Sequence, residues 1–251
     1  MPCLLYNGQS LVKTIKFKSP DYIGDPINAV KIYNEKEVDE LILLDIFASR
    51  QKRDPDFEQI KEVASECFMP FAYGGGVNKI EHFKQLFSIG VEKVVVNSLI
   101  FTNPAIIEEA SKLFGAQSII GSIDLKKNFF GKYRVFSHSG YKTKLNLLDF
   151  SCYVENMGVG ELFINSVDKD GTWEGFEYEE IQKIANSVSL PIIACGGAGG
   201  ITDLRKVLYE FDINAAALGS MAVYQKKGMG VLIGFPKREK IIEDEYSITA
   251  L

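Results

Sequence analysis

Short apolar runs alternate with amphipathic stretches along the chain and predict eight β-strands. The strands are expected at Cys3–Tyr6, Leu41–Leu44, Pro70–Ala72, Lys93–Val96, Ser118–Ile123, Glu161–Ile164, Pro191–Ala194 and Ala215–Leu218. Helical patterns lie between them, among them Phe57–Cys67, Ile80–Ser88 and Glu179–Val188. Pro104 suits the start of a further helix, with Asn103 as its cap. This alternation predicts an α/β fold with a parallel sheet, whose buried strands read as continuous apolar runs.

Three pairs of similar segments indicate an internal duplication. VDELILLDI resembles VGELFINSVD, PFAYGGGV resembles PIIACGGAGG, and VEKVVVNS resembles INAAALGS, in the same order and at nearly constant spacing. Repeats of this kind favour a closed barrel made of two fused halves over an open doubly wound sheet. We therefore predict one (β/α)8 (TIM) barrel domain over residues 1–251, with half-barrels of about 1–115 and 116–251.

Length, composition and charge narrow the class of protein. The 251 residues suit one barrel, and a net charge of −5 provides no basic field that would hold nucleic acid. No apolar stretch approaches the roughly 20 residues of a membrane-spanning helix. The first residues, MPCLLYNGQS, lack the pattern of a signal peptide. These features predict a cytoplasmic protein that binds neither nucleic acid nor membranes.

Cysteine and histidine usage argues against a metal site. The four cysteines stand singly, with no CxxC pair, and there are two histidines. Zinc sites are usually built from closely spaced pairs of such residues. We expect free thiols, no metal and no cofactor.

The C-terminal ends of the strands are where a barrel of this kind carries its active site. These ends carry Leu5, Asp45, Gly74–Gly76, Asn97–Ser98, Asp124, Asp168–Gly171, Gly196–Gly197 and Gly219–Ser220. A glycine run followed by a polar strand end occurs once in each half. Exposed amide groups there could form two anion sites, which implies a substrate with a phosphate at each end. Alternatively, the glycines only permit tight turns.

Asp124 is the candidate catalytic group because it ends an apolar strand and would point into the site. It could also be a structural cap. The duplication places Leu5 at the equivalent position of the first half, so a second carboxylate is missing there. Lys13, Lys16 and Lys18 are expected in a long basic loop, which either folds over an anionic substrate or forms a solvated face.

Three charged residues are expected at the opposite end of the barrel. Glu40, Lys93 and Glu161 each lie at or just before the N-terminal end of a strand. Charges inside a barrel are costly unless they are paired. The three residues could form a structural salt-bridge cluster, or they could gate a passage through the barrel.

The motifs LLDIFAS, GGGV, VVVNS, SIDLKK, INSVDKDGT and PIIACGGAG together resemble the cyclase subunit (HisF) of imidazole glycerol phosphate synthase, a lyase of histidine biosynthesis. The resemblance runs from Cys3 to about Ser220. It implies a heterodimer with a glutaminase (HisH-like) subunit that sends ammonia past a gate formed by Glu40, Lys93 and Glu161. It places the phosphate contacts on Gly76, Asn97, Ser98, Asp170, Gly171, Gly197, Gly219 and Ser220. The two catalytic aspartates of the family fall on Leu5 and Asp124.

Leu5 and the segment after Ser220 depart from the family pattern. They resemble a paralogous branch that accompanies genes for surface-polysaccharide sugars. That resemblance implies that ammonia is used to convert an acetamido group to an acetamidino group on a sugar or sugar nucleotide. Two alternatives stay open: an authentic cyclase of histidine biosynthesis, and a non-catalytic barrel that docks and activates a glutaminase.

Overall fold

The computed structural model describes residues 1–242, which form eleven strands and eleven α-helices. The strands are Cys3–Tyr6 (β1), Leu11–Ile15 (β2), Lys18–Gly24 (β3), Leu41–Asp45 (β4), Phe71–Gly74 (β5), Lys93–Val96 (β6), Ile119–Lys127 (β7), Tyr133–Phe136 (β8), Glu161–Ser166 (β9), Ile192–Cys195 (β10) and Ala215–Ala217 (β11). The helices are Pro26–Glu35 (α1), Ala48–Gln51 (α2), Phe57–Glu66 (α3), Ile80–Ser88 (α4), Ser98–Thr102 (α5), Pro104–Phe114 (α6), Leu147–Glu155 (α7), Tyr178–Ala185 (α8), Ile201–Arg205 (α9), Ser220–Val223 (α10) and Arg238–Ile241 (α11). A π-helical turn over Lys206–Glu210 continues α9.

Eight of these strands form a closed parallel barrel. Their order is β1, β4, β5, β6, β7, β9, β10 and β11, and each pairs in parallel with the next. The ring closes just beyond β11, where the amide of Cys3 donates to the carbonyl of Leu218 at 2.8 Å and the amide of Leu218 donates to the carbonyl of Met1 at 2.9 Å. The predicted (β/α)8 barrel is therefore confirmed.

The eight strands of the barrel are mostly apolar because both of their faces are buried. A compact layer of side chains fills the inside of the barrel: Cys3, Ile42, Ala72, Val95, Ile120, Phe163, Ile193, Cys195 and Ala217. A larger cluster, which includes Tyr33, Phe83 and Phe150, packs strands against the surrounding helices. A strand between two apolar layers has no solvent face to mark with polar residues.

Two antiparallel additions were not predicted. Strand β2 pairs with β1, β3 pairs with β2, and β8 pairs with the extended end of β7. The prediction of a long loop around Lys13–Lys18 is wrong, because this segment forms the β2–β3 hairpin. Register shifts interrupt the pairing of the hairpin, and β3 is mostly exposed. These irregularities erase the alternation of apolar and polar residues that normally identifies a strand.

The helix predictions agree closely with the structure. The bounds of α4 agree with its predicted bounds, α3 ends one residue early, and α8 is shifted towards its N-terminus. Pro104 occupies the first turn of α6 as expected, but the side chain of Asn103 makes no capping hydrogen bond. Its backbone carbonyl instead accepts from the amide of Ile106 at 3.2 Å.

The predicted domain spans residues 1–251, and its last nine residues, 243–251, lie outside the part of the chain that the structure describes. The division into two half-barrels stays a prediction from the repeated segments. No helix within residues 1–242 is both long and apolar enough to cross a bilayer.

The inner layer should make a large contribution to stability. Phe163 is fully buried inside the barrel, so Phe163→Ala should lower the free energy of unfolding by about 3–5 kcal/mol in urea denaturation. Phe130→Ala is the control, because that side chain is 83% exposed and should change stability by less than about 0.5 kcal/mol. Equal losses for the two variants would contradict a packed barrel interior.

Candidate functional site

A cavity of about 320 Å³ opens at the C-terminal ends of the barrel strands. Its lining includes eight of the strand-end residues selected from the sequence: Leu5, Asp45, Gly74, Gly75, Gly76, Asn97, Ser98 and Asp124. The structure thus brings together the candidate acid–base residue and the predicted anion site of the first half. Ligand sites in barrels lie at this end, in cavities of about this size.

Asp124 lies on β7 in a nearly solvent-free environment. Burial raises the pKa of its carboxyl to about 7; a hydrogen bond from Asn97 opposes the shift, and the charge of Asp170 adds to it. The Asn97 amide nitrogen lies 3.2 Å from Asp124 Oδ2. A carboxyl group that titrates near neutral pH can both give and take a proton during a reaction.

Leu5 also lines the cavity, on the first strand of the barrel. Strand β7 is the fifth in the ring, so Leu5 and Asp124 belong to diametrically opposed strands. The side chain opposite Asp124 is a hydrocarbon that can neither carry a proton nor accept a hydrogen bond. Of these two opposed positions, only Asp124 therefore supplies a carboxyl group for acid–base chemistry in the cavity.

The first predicted anion site is held by a tight turn after β5. Gly76 has a φ of 72°, and a Cβ atom there would lie 2.5 Å from the carbonyl oxygen of Arg53. The amide of Gly76 donates to Ser49 Oγ at 3.3 Å. Helix α5, which begins at Ser98, has five residues, so its dipole offers little to an anion.

The second predicted anion site forms a separate and much smaller cavity. Its lining includes Asp170, Gly171, Gly197, Gly219 and Ser220, the five residues expected there. Its volume of about 20 Å³ has room for roughly one water molecule. The five residues are thus brought together, but the space between them is too small for a phosphate group in this conformation.

The β2–β3 hairpin closes this second site. Lys13 Nζ lies 2.6 Å from Asp170 Oδ1, and Thr14 Oγ1 donates to Asp170 Oδ2 at 2.9 Å. Lys13 is only 3% exposed, so the role of a solvated surface residue is wrong for it. Its other considered role, over an anionic substrate, stays a prediction. Lys13 is the cation that ties the hairpin to the barrel.

Turn geometry accounts for some of the glycines without any ligand. Gly197 has a φ of 106°, and a Cβ atom would overlap the carbonyl oxygen of Gly175. Gly219 has a negative φ of −90°, and the atoms nearest to a Cβ placed there would be those of the Lys13 side chain, from 3.0 Å. A residue other than glycine would therefore strain the backbone at positions 76 and 197. At position 219, glycine is favoured because the Lys13 side chain passes close by.

The sequence analysis missed several polar side chains of the main cavity. Asn165 is the neighbour of Asp124 across the β7–β9 pair, and its buried Oδ1 atom has no hydrogen-bond partner within the described residues. Asp45, which the sequence analysis had already placed at a strand end, accepts a hydrogen bond from Arg53 at 3.0 Å and is neutralised by it. Arg50 and His138 meet at the mouth of the cavity. The position of Asn165 at a strand end could have identified it; the other contacts depend on the folded loops.

The three charged residues at the opposite end of the barrel form an ion cluster. Lys93 Nζ lies 3.0 Å from Glu40 Oε2 and 2.8 Å from Glu161 Oε1. Burial opposes the charge on Lys93, but the hydrogen bonds to Glu161 and Glu40 raise the pKa of Lys93 above its ordinary value. Burial raises the pKa of Glu40 in turn, despite the attraction of Lys93. Lys93 stays charged and holds the cluster together.

The four cysteines are free thiols, with Cys3 and Cys195 buried inside the barrel. Among residues 1–242, no group of three or more His, Cys, Asp or Glu side chains is arranged to bind a metal ion.

The buried carboxyl group makes the stability of the fold depend on pH. Its folded-state pKa lies above that of an unfolded aspartate, so ionisation of Asp124 costs stability as the pH rises from about 4 to about 7. Asp124→Asn removes this cost. The free energy of unfolding of the variant, relative to the unaltered chain, should therefore be on the order of 1–4 kcal/mol greater at pH 8 than at pH 4.

Urea denaturation at both pH values measures this difference. Asp21→Asn is the control, because Asp21 is exposed on β3 and the effect of its replacement should change little with pH. An effect of Asp124→Asn that is the same at both pH values would contradict a raised pKa.

Comparison with known proteins agrees with this architecture. The sequence model of the family described as "Histidine biosynthesis protein" matches residues 1–228. The chain is 48% identical over 242 residues to the Pseudomonas aeruginosa protein named "Putative imidazole glycerol phosphate synthase subunit hisF2", covering 96% of each chain. It is 40% identical to the Vibrio vulnificus protein with the same name but the label hisF3, covering 97% of this chain and 95% of that one. It is 36% identical to "Imidazole glycerol phosphate synthase subunit HisF" of Streptococcus sanguinis, covering 88% and 87%. The chain therefore belongs to the histidine biosynthesis protein family, as a synthase subunit of the HisF type.

Proposed function

We propose that this chain uses ammonia, delivered by a glutaminase subunit, to convert an acetamido group to an acetamidino group on a bacterial surface sugar. One observation carries the proposal: a single barrel has a carboxyl group with a pKa of about 7 at one end and a partly buried ion cluster at the other. The first suits proton transfer to and from a reacting group. The second suits an entrance for a small neutral nucleophile.

Asp124 would handle the protons of the reaction. The carbon of the acetamido group gains the nitrogen of ammonia and loses its oxygen. Two protons must move from the incoming nitrogen to the oxygen, which leaves as water when its bond to carbon breaks. A side chain with a pKa of about 7 is suited to both transfers near neutral pH. Asn165, whose Oδ1 is unpaired beside Asp124, could accept a hydrogen bond from the substrate.

Leu5 separates this proposal from histidine biosynthesis. The HisF resemblance implies a catalytic aspartate at this position, and the leucine that lines the cavity cannot perform its role.

Ammonia would enter between Glu40, Lys93 and Glu161, at the end of the barrel where a HisH-like glutaminase would dock to form a heterodimer. The charged cluster attracts and orients water and ions, whereas the layer above it is built from apolar side chains such as Ile42 and Val95. An apolar passage disfavours ammonium relative to neutral ammonia. The cytoplasmic location expected from the sequence stays a prediction.

The substrate would lie between Asp124 and the first anion site, formed by Gly76, Asn97 and Ser98. The second anion site, with Asp170, Gly171, Gly197, Gly219 and Ser220, would accept a phosphate only after Lys13 leaves Asp170. A sugar held mainly by the first site requires no such movement. The open cavity thus favours a substrate with a different shape from a bisphosphate.

An authentic cyclase that depends on Asp124 alone is the second candidate. The observation in its favour is that all eight residues expected to contact phosphate are grouped into two clusters at the C-terminal end of the barrel strands.

A barrel that only docks and activates a glutaminase is the third candidate function. It gives no reason for a carboxyl group with a raised pKa beside an unpaired amide oxygen.

The first test restores the missing carboxylate. The unaltered chain should not form imidazole glycerol phosphate from the substrate of that synthase with ammonium as the nitrogen source, whereas Leu5→Asp should gain measurable activity because two opposed carboxyls can share the proton transfers. Leu44→Asp is the matched control, since it places a carboxyl elsewhere in the same cavity. Growth of a histidine auxotroph on the unaltered chain would instead favour the authentic cyclase.

The second test separates entry of ammonia from chemistry. In the complex with its glutaminase, Lys93→Met should reduce glutamine-dependent turnover of an acetamido sugar at least about tenfold, with a much smaller loss when external ammonium is supplied. The reason is that ammonium added to the solution can reach the open cavity directly. Lys84→Met, on the exposed side of α4, is the control. Equal losses with both nitrogen sources would count against a gate.

A further inference from the structure

Two residues from different loops meet over the mouth of the main cavity. Arg50, in the short helix after β4, approaches His138, which follows β8, with Arg50 Nη1 2.7 Å from His138 Nε2. Both residues line the cavity. Since an arginine can only donate, the ring nitrogen of His138 accepts this hydrogen bond.

A second cation, Lys126, lies near this pair. Lys126 is two residues beyond Asp124 on β7, so its side chain leaves the same face of the strand. Lys126 Nζ lies 4.9 Å from the centre of the Phe136 ring, which in turn lies 6.2 Å from the His138 ring. Within residues 1–242, no carboxylate forms a salt bridge with Arg50 or Lys126. The mouth therefore has unbalanced positive charge.

Aromatic side chains hold this arrangement in place. Phe17, from the β2–β3 hairpin, contacts His138 edge-on with ring centres 6.2 Å apart, and its ring also contacts Phe136 at 6.3 Å. Such contacts orient the imidazole without using its nitrogen atoms. The carboxylates on the cavity wall offset little of the positive charge: Asp45 is paired with Arg53, and burial raises the pKa of Asp124 to about 7, which reduces its negative charge near neutral pH.

The charge of His138 reflects this environment. Burial lowers the pKa of its imidazole, and the positive charges of Arg50 and Lys126 lower it further. An anion placed among the three groups would reverse the electrostatic part of this shift. The mouth of the cavity is therefore suited to bind an anion. The affinity for the anion should increase as His138 becomes protonated.

We infer that Arg50, Lys126 and His138 form a third anion subsite, at the mouth of the cavity, which binds the diphosphate group of an activated sugar. The inference deepens the proposed function and rests on it for the identity of the sugar. Donors from three separate segments suit a group with many acceptor oxygens, and a planar guanidinium suits phosphate oxygens in particular. The sugar ring would then point inwards to Asp124, past the aromatic rim.

The HisF resemblance assigns no phosphate contact to Arg50, Lys126 or His138. Arg50 follows LLDIFAS, Lys126 lies in SIDLKK, and His138 lies outside all of the motifs. The subsite is also distinct from the two glycine-containing sites, because its donors are side chains rather than backbone amides.

Nuclear magnetic resonance of the imidazole groups tests the inference on the unaltered full chain. The protein has two histidines, and His82 is 2% exposed beside Asp54, so the more exposed His138 can be assigned with a His82→Gln variant. Inorganic pyrophosphate is the probe. Saturating pyrophosphate should raise the pKa of His138, and its affinity should increase as the pH falls through that pKa.

Arg50→Gln should weaken pyrophosphate binding at least about tenfold, because a charge-assisted hydrogen bond is lost. Arg238→Gln is the matched control and should bind pyrophosphate like the unaltered chain, because Arg238 lies at the other end of the barrel beside Asp39. Inorganic phosphate should bind more weakly than pyrophosphate if a diphosphate is the natural group.

Two results would overturn the inference. One is a His138 pKa that saturating pyrophosphate leaves unchanged. The other is an Arg50→Gln variant that binds pyrophosphate as tightly as the unaltered chain, which would place the probe at the glycine-containing sites. The measurement requires neither ammonia nor a partner protein, so a failure of the proposed sugar chemistry would leave its outcome unaffected.

Discussion

Closure of the sheet between β11 and β1 is the constraint on which the rest of the structure depends. Two hydrogen bonds made by Leu218, one with Cys3 and one with Met1, turn a row of parallel strands into a ring. Only in a ring do the C-terminal ends of all eight strands face one cavity, and only in a ring can Lys93 reach carboxylates from β9 and from the residue before β4. The two ends of the barrel are thus properties of one closed layer of hydrogen bonds.

The barrel strands were predictable because burial on both faces leaves a simple signal in the sequence. The cores of these strands, such as LILL in β4 and VVV in β6, are apolar throughout, and the order of the strands along the chain is their order around the ring. The β2–β3 hairpin was not predictable in this way. One of its faces is exposed and its pairing is irregular, so Lys13 appeared to be a surface residue although its ammonium group is buried against Asp170.

The candidate site shows the same division. Asp124 and the glycines were found because strand ends and turns can be located from the sequence. Arg50 and His138 are separated by 88 positions, and no local pattern relates them; their contact arises from two loops that the barrel brings together. The pKa of Asp124 also depends on long-range packing, since the burial that raises it comes from elements far apart in the chain.

The Lys13–Asp170 contact has a thermodynamic consequence for any ligand of the small second cavity. Such a ligand must bind a conformation in which Lys13 has separated from Asp170. Its apparent dissociation constant is then the intrinsic constant divided by the fraction of molecules in that conformation. If roughly one molecule in a hundred is released at rest, the apparent affinity falls about a hundredfold. The hairpin therefore acts as an internal competitor, whose local concentration never changes and whose strength depends on the contacts of Lys13 and Thr14 with Asp170.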